Sequence, residues 1–229
     1  MAVTRSVRLT ALMAVPAALA IALATPALAH DGGHDSGPST RHGQDYKVAL
    51  RQLNHSGAGG TAYLSLHGRQ LTVRIDAHGL VPGQPHAQHI HGSTNGHDFR
   101  CPDASADKNG DGIVTTAEGL PAYGDINISL TTSGDTSKAS GLAVDRMPVA
   151  DARGNVSYAR TIPVSQAIAD HLQNLHVVQH GIDPNGNGKY DFGKGKSELD
   201  PKLPQEATAP ASCGMLHGTT GSSMPMNGH

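Results

Sequence analysis

Tryptophan is absent from this chain of 229 residues, and phenylalanine occurs only at positions 99 and 192. Aromatic side chains bury the largest apolar areas, so a core built almost without them is modest and calls for covalent or metal staples. An excess of charge is lacking too. Seventeen Lys and Arg against nineteen Asp and Glu leave a formal charge of −2. That balance excludes the cationic field of a nucleic-acid binder and gives no electrostatic pull towards a membrane surface. Beyond the N-terminal region no apolar run is long enough to span a bilayer, so no membrane anchor is expected. Cysteine is nearly missing, with Cys101 and Cys213 the only two.

What is present begins with an export signal. Arg5 and Arg8 precede an apolar stretch from Leu9 to Ala24, and Ala27-Leu28-Ala29 supplies small residues for cleavage. Pro16 and Thr25 interrupt the run, which argues against a membrane span and for a signal peptide at 1–29. The expected mature chain starts at His30 and is secreted, extracellular or periplasmic. No cysteine sits at the cleavage point to take a lipid. In such a compartment a Cys101–Cys213 disulfide is the default, a reactive thiol the alternative. The bridge would close a loop of roughly 110 residues, for which chain entropy gives about 4–5 kcal/mol.

Glycine (28) and proline (14) are abundant, and apolar residues alternate in short runs between turns. Residues 30–44 form a polar His/Gly-rich tail expected to be disordered. Strands are expected at Tyr46–Leu53, Thr61–Leu66, Leu71–Ala77, around His89 and His91, and at Asp125–Thr131, Gly154–Thr161 and Leu175–His180. His67-Gly68-Arg69-Gln70 reads as a hairpin turn. Val164–Asn174, with Val164, Ile168, Leu172 and Leu175 at helical spacing, is the one clear helix. After Lys194 the pattern becomes irregular, and 217–229 is a flexible Met/His tail. The expected fold is all-β: an antiparallel Greek-key sandwich or barrel over residues 45–216, immunoglobulin-like, with one short helix and long loops.

Side chains at i and i+2 share one face of a strand, so His89-Ile90-His91 sends two imidazoles the same way. Neutral imidazole suits copper and zinc; a pair of exposed or core histidines is the plain alternative. His176-Val177-Val178-Gln179-His180 puts two more histidines on one face of a later strand. Asp107-Lys108-Asn109-Gly110-Asp111-Gly112-Ile113-Val114-Thr115-Thr116-Ala117-Glu118 fits the twelve-residue calcium loop. Asp107, Asn109, Asp111 and Thr115 would offer side-chain oxygens, Ile113 its carbonyl, and Glu118 both carboxylate oxygens. The usual flanking helices are not expected, because Cys101-Pro102 precedes the loop and Gly119 and Pro121 follow it. Extracellular sites of this kind bind weakly, with Kd of about 0.1–1 mM. A second candidate cation loop starts at Asp183, with Asn185, Asn187 and Asp191; its twelfth position is Lys194, which is no ligand, and a structural Asn-Gly turn reads equally well. In the tails, His30 with His34, and Met215, His217, Met224, Met226 and His229, are either copper ligands or merely solvated.

In their order these motifs resemble Cu/Zn superoxide dismutases. Gly79-Leu80-Val81-Pro82-Gly83 ahead of His86-x-x-His89-x-His91 is similar to that family's copper strand, and His180 looks like its late copper ligand. Tyr123-Gly124-Asp125-Ile126 is similar to the segment bearing its zinc aspartate, and Ala211-Ser212-Cys213-Gly214 to the end of its disulfide. The resemblance spans roughly Tyr46 to Leu216. It implies a copper site of His89, His91 and His180, with His97 or His176 as a further ligand. His-Ile-His-Gly also resembles chordin-type secreted β domains. The departures are informative. No histidine lies between Cys101 and Asp125, where the family keeps its bridging and zinc histidines, and the calcium loop stands there instead. Pro210 occupies the place of the arginine that attracts superoxide. Zinc and fast dismutation are therefore not expected. The leading expectation is a secreted metal-binding protein taking calcium and copper; a copper-only superoxide dismutase and a non-catalytic extracellular structural or adhesion domain are the alternatives.

Overall fold

The computed structural model describes residues 43–216, and strand alternation sets its architecture. In β1 (Gln44–Gln52), β2 (Gly59–His67) and β3 (Gln70–His78), buried apolar residues alternate with more exposed ones, Val48, Leu50, Leu64, Leu66, Val73 and Ile75 among the buried. This is the period-two signature of a sheet with one wet face. The β2–β3 hairpin turns through Gly68 and Arg69; Gly68 sits at φ 61°, a left-handed position that glycine takes without strain. β4 (Gln88–Gly92), β5 (Asp125–Ser129), β6 (Val156–Pro163), β7 (His176–His180) and β8 (Pro210–Met215) complete one eight-stranded sheet of order β5-β4-β7-β8-β1-β2-β3-β6.

All neighbouring pairs run antiparallel. β1 joins the two halves, pairing β2 along most of its length and β8 through Arg51 and Gln52. The chain leaves β3 for the far half, forms β4 and β5, and returns to lay β6 beside β3, which is the Greek-key crossover. Both halves contribute to one apolar cluster, with Leu64, Leu71 and Ile75 meeting Ile90, Leu130 and Val177. The core is aliphatic, as the shortage of aromatics requires. The edge strands β5 and β6 do not pair; Tyr158 and Arg160 of β6 instead donate to the Thr131 carbonyl just past β5.

Four expectations need correction. The described residues contain three short α-helices rather than one: α1 (Thr116–Tyr123), α2 (Gln166–His171) and α3 (Gln205–Thr208). α1 forms despite Gly119 and Pro121 because Thr115 and Glu118 close a capping box at its start. The helix expected from Val164 starts later, because Ser165 caps it and the Val164 amide is bonded to the Arg69 carbonyl; it ends as a 3-10 turn at Leu172–Asn174. The region after Lys194 is not irregular throughout, since β8 lies there, wedged between β7 and β1. Its small residues hid it: a methyl on Gly214 would lie 2.5 Å from Val48 Cγ1 and 2.8 Å from the Ala49 carbonyl oxygen, so bulky strand formers do not fit. At the other end, Gln44 of the expected tail already belongs to β1. The expected signal peptide, His30, His34, His217, Met224, Met226 and His229 lie outside the described residues.

Candidate metal centre

β4 is buried along its whole length between β5 and β7. Ile90 points into the aliphatic core, so His89 and His91 point to the opposite face. β7 runs antiparallel beside it, with His91 opposite His176 and His89 opposite Val178. The ladder is bulged beside His91 and beside His180. β4 shifts register against β5 between Ile90 and His91, and β7 shifts against β8 between Gln179 and His180. Bulges re-aim side chains, and here His180 is brought onto His89 and His91. Ring centroids lie 5.3 Å apart for His89–His91, 5.1 Å for His89–His180 and 6.0 Å for His91–His180. One nitrogen from each ring lies within 4.8 Å of the other two.

Each ring is held by its other nitrogen. His89 Nε2 bonds the Gly141 carbonyl at 2.9 Å, His91 Nδ1 the Gly124 carbonyl at 2.9 Å, and His180 Nδ1 the Thr208 carbonyl at 2.7 Å. A carbonyl only accepts, so those nitrogens carry the protons. The lone pairs therefore sit on His89 Nδ1, His91 Nε2 and His180 Nε2, and all three are buried without a hydrogen-bond partner. The anchors come from the loop after β5, the C-terminal cap of α1 and the end of α3. Gly124 has to be glycine: it sits at φ 75°, and a methyl there would meet the Phe99 ring at 2.7 Å. Tyr123 packs edge-on against His91 at 4.6 Å and donates its hydroxyl to the Thr116 carbonyl.

Burial is the main cause of the depressed histidine pKa values, and the neighbouring rings add to it. His89 is pushed well below the ordinary 6.5, His91 to about 3 and, by burial, His180 to about 4. Three neutral imidazoles thus face one another at neutral pH. They floor a cavity of about 460 Å³ whose mouth is apolar, with Leu120, Leu142, Val144 and Leu199 partly exposed around it. Lys138 at the rim is paired with Asp125.

The remaining sequence candidates fall elsewhere. His97 is exposed and stacks on Phe99 at 4.5 Å, apart from the three rings. His176 is buried opposite His91 but is not one of the converging group. His86 bonds the His180 carbonyl through Nδ1, receives the Val81 amide at Nε2 and touches the Tyr190 hydroxyl, so it braces β7. Cys101 and Cys213 form a disulfide, Cα–Cα 5.8 Å, packed with Tyr123 and Val178.

In the loop 107–118, the Asp107 carboxylate accepts the Gly110 and Gly112 amides. Asn109 accepts the Asp111 amide, and Asp111 the Ile113 amide. Glu118 folds back from α1, one oxygen accepting the Lys108 and Asn109 amides and the other the Thr115 amide. Those bonds, the Thr115 amide first, hold the Glu118 carboxyl below its ordinary range. A 3-10 turn at Ala104–Ala106 and the eight-residue α1 flank the loop in place of full helices. In the second loop, Asp183, Asn185 and Asn187 make a parallel set of amide contacts, and Asp191 caps the 3-10 turn Phe192–Lys194.

No family model matches the chain, and no curated protein matches it. Solved structures do match. Cu/Zn superoxide dismutase from Brucella abortus aligns over 76% of this chain and 100% of its own, at 20% identity and a TM-score of 0.43. A likeness that loose assigns neither family nor site residues.

Proposed function

We propose that this is a metal-binding protein whose histidine centre holds one copper ion, and that the Asp107–Glu118 loop takes calcium as a structural ion. One observation carries the copper reading: three buried ring nitrogens converge without partners, while the opposite nitrogen of each ring is bonded to a carbonyl. A buried polar atom left unsatisfied costs about 1–3 kcal/mol, so three together are expected where an ion completes them. The donor set fits. Neutral imidazoles suit both copper and zinc, and Cu(II) binds a given nitrogen set more tightly than Zn(II). Copper there would supply one-electron redox chemistry at the floor of the cavity.

The chain's own residues support holding an ion more than drawing in an anion. The carbonyls of Gly124, Gly141 and Thr208 fix the ring orientation and raise nitrogen basicity. The apolar mouth limits water at the rings, and Lys138 is neutralised by Asp125. Copper binding without fast turnover is the reading this favours; the cavity's access to the rings is the feature that favours a copper-dependent dismutase. Residence in an oxidising compartment, secreted or periplasmic, agrees with the disulfide.

The test is Cu(II) titration of the full chain followed by electron paramagnetic resonance, with a dismutation assay alongside. One tightly bound copper with three-nitrogen coupling is expected, and His89→Ala and His180→Ala should each abolish that signal. An unchanged signal in both variants would move copper to the tails and sink the proposal. Rapid dismutation would decide for the enzyme.

For calcium, stabilisation follows RT ln(1 + [Ca]/Kd), about 2.7 kcal/mol at a hundredfold excess over Kd. Glu118→Gln should remove most of it by taking away one charge and the two-oxygen clamp. A melting temperature indifferent to millimolar calcium and to chelator would refute this reading.

A further inference from the structure

The second Asp/Asn/Gly loop has the form of the first but lacks a carboxylate at its twelfth position, where Lys194 stands exposed in the 3-10 turn. The parallel is otherwise close. Asp107 accepts the amide at position six of its loop, Gly112, and Asp183 accepts that of Gly188. Asn109 accepts the position-five amide, and so does Asn185. Asp111 accepts the position-seven amide, as does Asn187. Gly110 and Gly186, and then Gly112 and Gly188, turn through φ between 70° and 86° at matching places. In the first loop the twelfth residue, Glu118, closes the ring by accepting the position-nine amide of Thr115 at 2.9 Å.

In the second loop that contact is made from outside. Glu206 Oε2 accepts the position-nine amide, that of Asp191, at 2.7 Å. Glu206 belongs to α3, which is stapled to both ends of the loop: the Ile182 amide donates to the Glu206 carbonyl, and the Gln205 amide to the Gly195 carbonyl. The side chain has no exposed surface (0%), and its second oxygen, Oε1, has no hydrogen-bond partner. The first loop explains part of this. Glu118 uses its corresponding oxygen on the amides of positions two and three, whereas position two here is Pro184, which has no N–H. Oε1 lies beside the loop: a methyl built on Gly193 would be 2.9 Å from Asp191 Oδ1 and 3.9 Å from Glu206 Oε1, and the Asp191 and Asp183 charges act on this carboxyl.

We propose that Glu206 completes a second divalent-cation site with Asp183, Asn185, Asn187 and Asp191, and that calcium is the ion it takes. Carboxylate, amide and carbonyl oxygens are the ligands of a hard cation, and the irregular set suits calcium over magnesium's strict octahedron. Burial raises the Glu206 pKa, and the neighbouring Asp191 and Asp183 charges raise it further. A cation would offset all three carboxylates, to which no lysine or arginine is ion-paired among the described residues. The site also bears on the histidine centre, since α3 carries both Glu206 and Thr208, whose carbonyl anchors His180.

Calorimetric calcium titration of the full chain tests this, with luminescence of terbium bound beside Tyr190 as the site-specific signal in a protein without tryptophan. Two calcium ions are expected. Glu206→Gln should lose one of them together with the terbium signal excited through Tyr190, while Glu118→Gln loses only the other. If Glu206→Gln does not fold, Asp191→Asn takes its place and should weaken one site by about tenfold or more, because ligand charge sets affinity in such loops. Calcium binding unchanged in these second-loop variants, or abolished entirely by Glu118→Gln, would overturn the proposal. A single calcium that survives Glu118→Gln and is lost in Glu206→Gln would uphold it and remove the first loop instead.

Discussion

Replacing Cys101 and Cys213 together by serine should lower the unfolding free energy by about 4–5 kcal/mol, the chain-entropy value for releasing a loop of this length. The two residues are 112 apart in sequence, and the bridge ties the long β4–β5 connection to β8. A domain of this size has a stability of roughly 5–15 kcal/mol, so the loss is a large share of the whole. The effect should reach the histidine centre. The disulfide packs on Tyr123 and Val178, Tyr123 lies against His91, and the next carbonyl, Gly124, holds the His91 ring. Urea unfolding of the double variant measures the first effect, and metal titration the second. A loss below about 1 kcal/mol would mean the connection is fixed without the bridge, by the Tyr123 packing and the capping box of α1.

That coupling was out of reach of the sequence, and the reason is physical. Alternation is local, so β1 to β7 could be read from side chains two residues apart, and the His-x-His pair could be assigned to one face. The disulfide needed only a count of two cysteines. What holds the centre is not local. Gly124, Gly141 and Thr208 act through backbone carbonyls, which every residue possesses, so no side-chain pattern marks them. β8 is built from Pro, Ala, Ser, Cys, Gly and Met because the space between β7 and β1 is narrow, and the same smallness erases its strand signature. His180 lay in a legible strand, but the bulge that turns it onto His89 depends on pairing with β8. His97 shows the converse case: nearness in sequence suggested a ligand, and the fold sets it edge-on against Phe99, outside the converging group. Glu206 stands 15 residues beyond the Asp191 amide it accepts, past the end of any twelve-residue pattern.

Between pH 6.5 and about 4 the metal-free protein should lose stability steeply as acid is added, while the metal-loaded protein keeps its ion. An unfolded histidine takes up its proton near 6.5, whereas the folded chain resists protonation of His180 until about 4 and of His91 until about 3. In that window the unfolded state binds more protons, so stability falls with pH, by about 1.4 kcal/mol per pH unit for each such ring. For His180 alone the full loss is about 3 kcal/mol. The depressed carboxylates, Asp125 and Asp191 among them, begin to add to the loss only below about pH 5 and leave the upper part of the window to the histidines. Glu206 works in the opposite sense, because burial and its acidic neighbours raise its pKa and folding then favours the protonated form. Comparison with a variant carrying His89→Gln, His91→Gln and His180→Gln isolates the rings. Its stability should fall much less steeply from pH 6.5 to 4.5 than the native chain's, the remaining slope coming from His86, whose pKa burial also lowers. In the loaded protein, protons compete with the metal only near the folded pKa values, so copper should remain bound to about pH 4, where solvent-exposed histidines would release it near 6.5. Equilibrium unfolding at pH 7 and 5, with metal content measured after dialysis at each pH, decides both parts. Identical pH profiles for the native and triple-variant chains, or copper lost at pH 6, would mean the three rings are not buried neutral ligands.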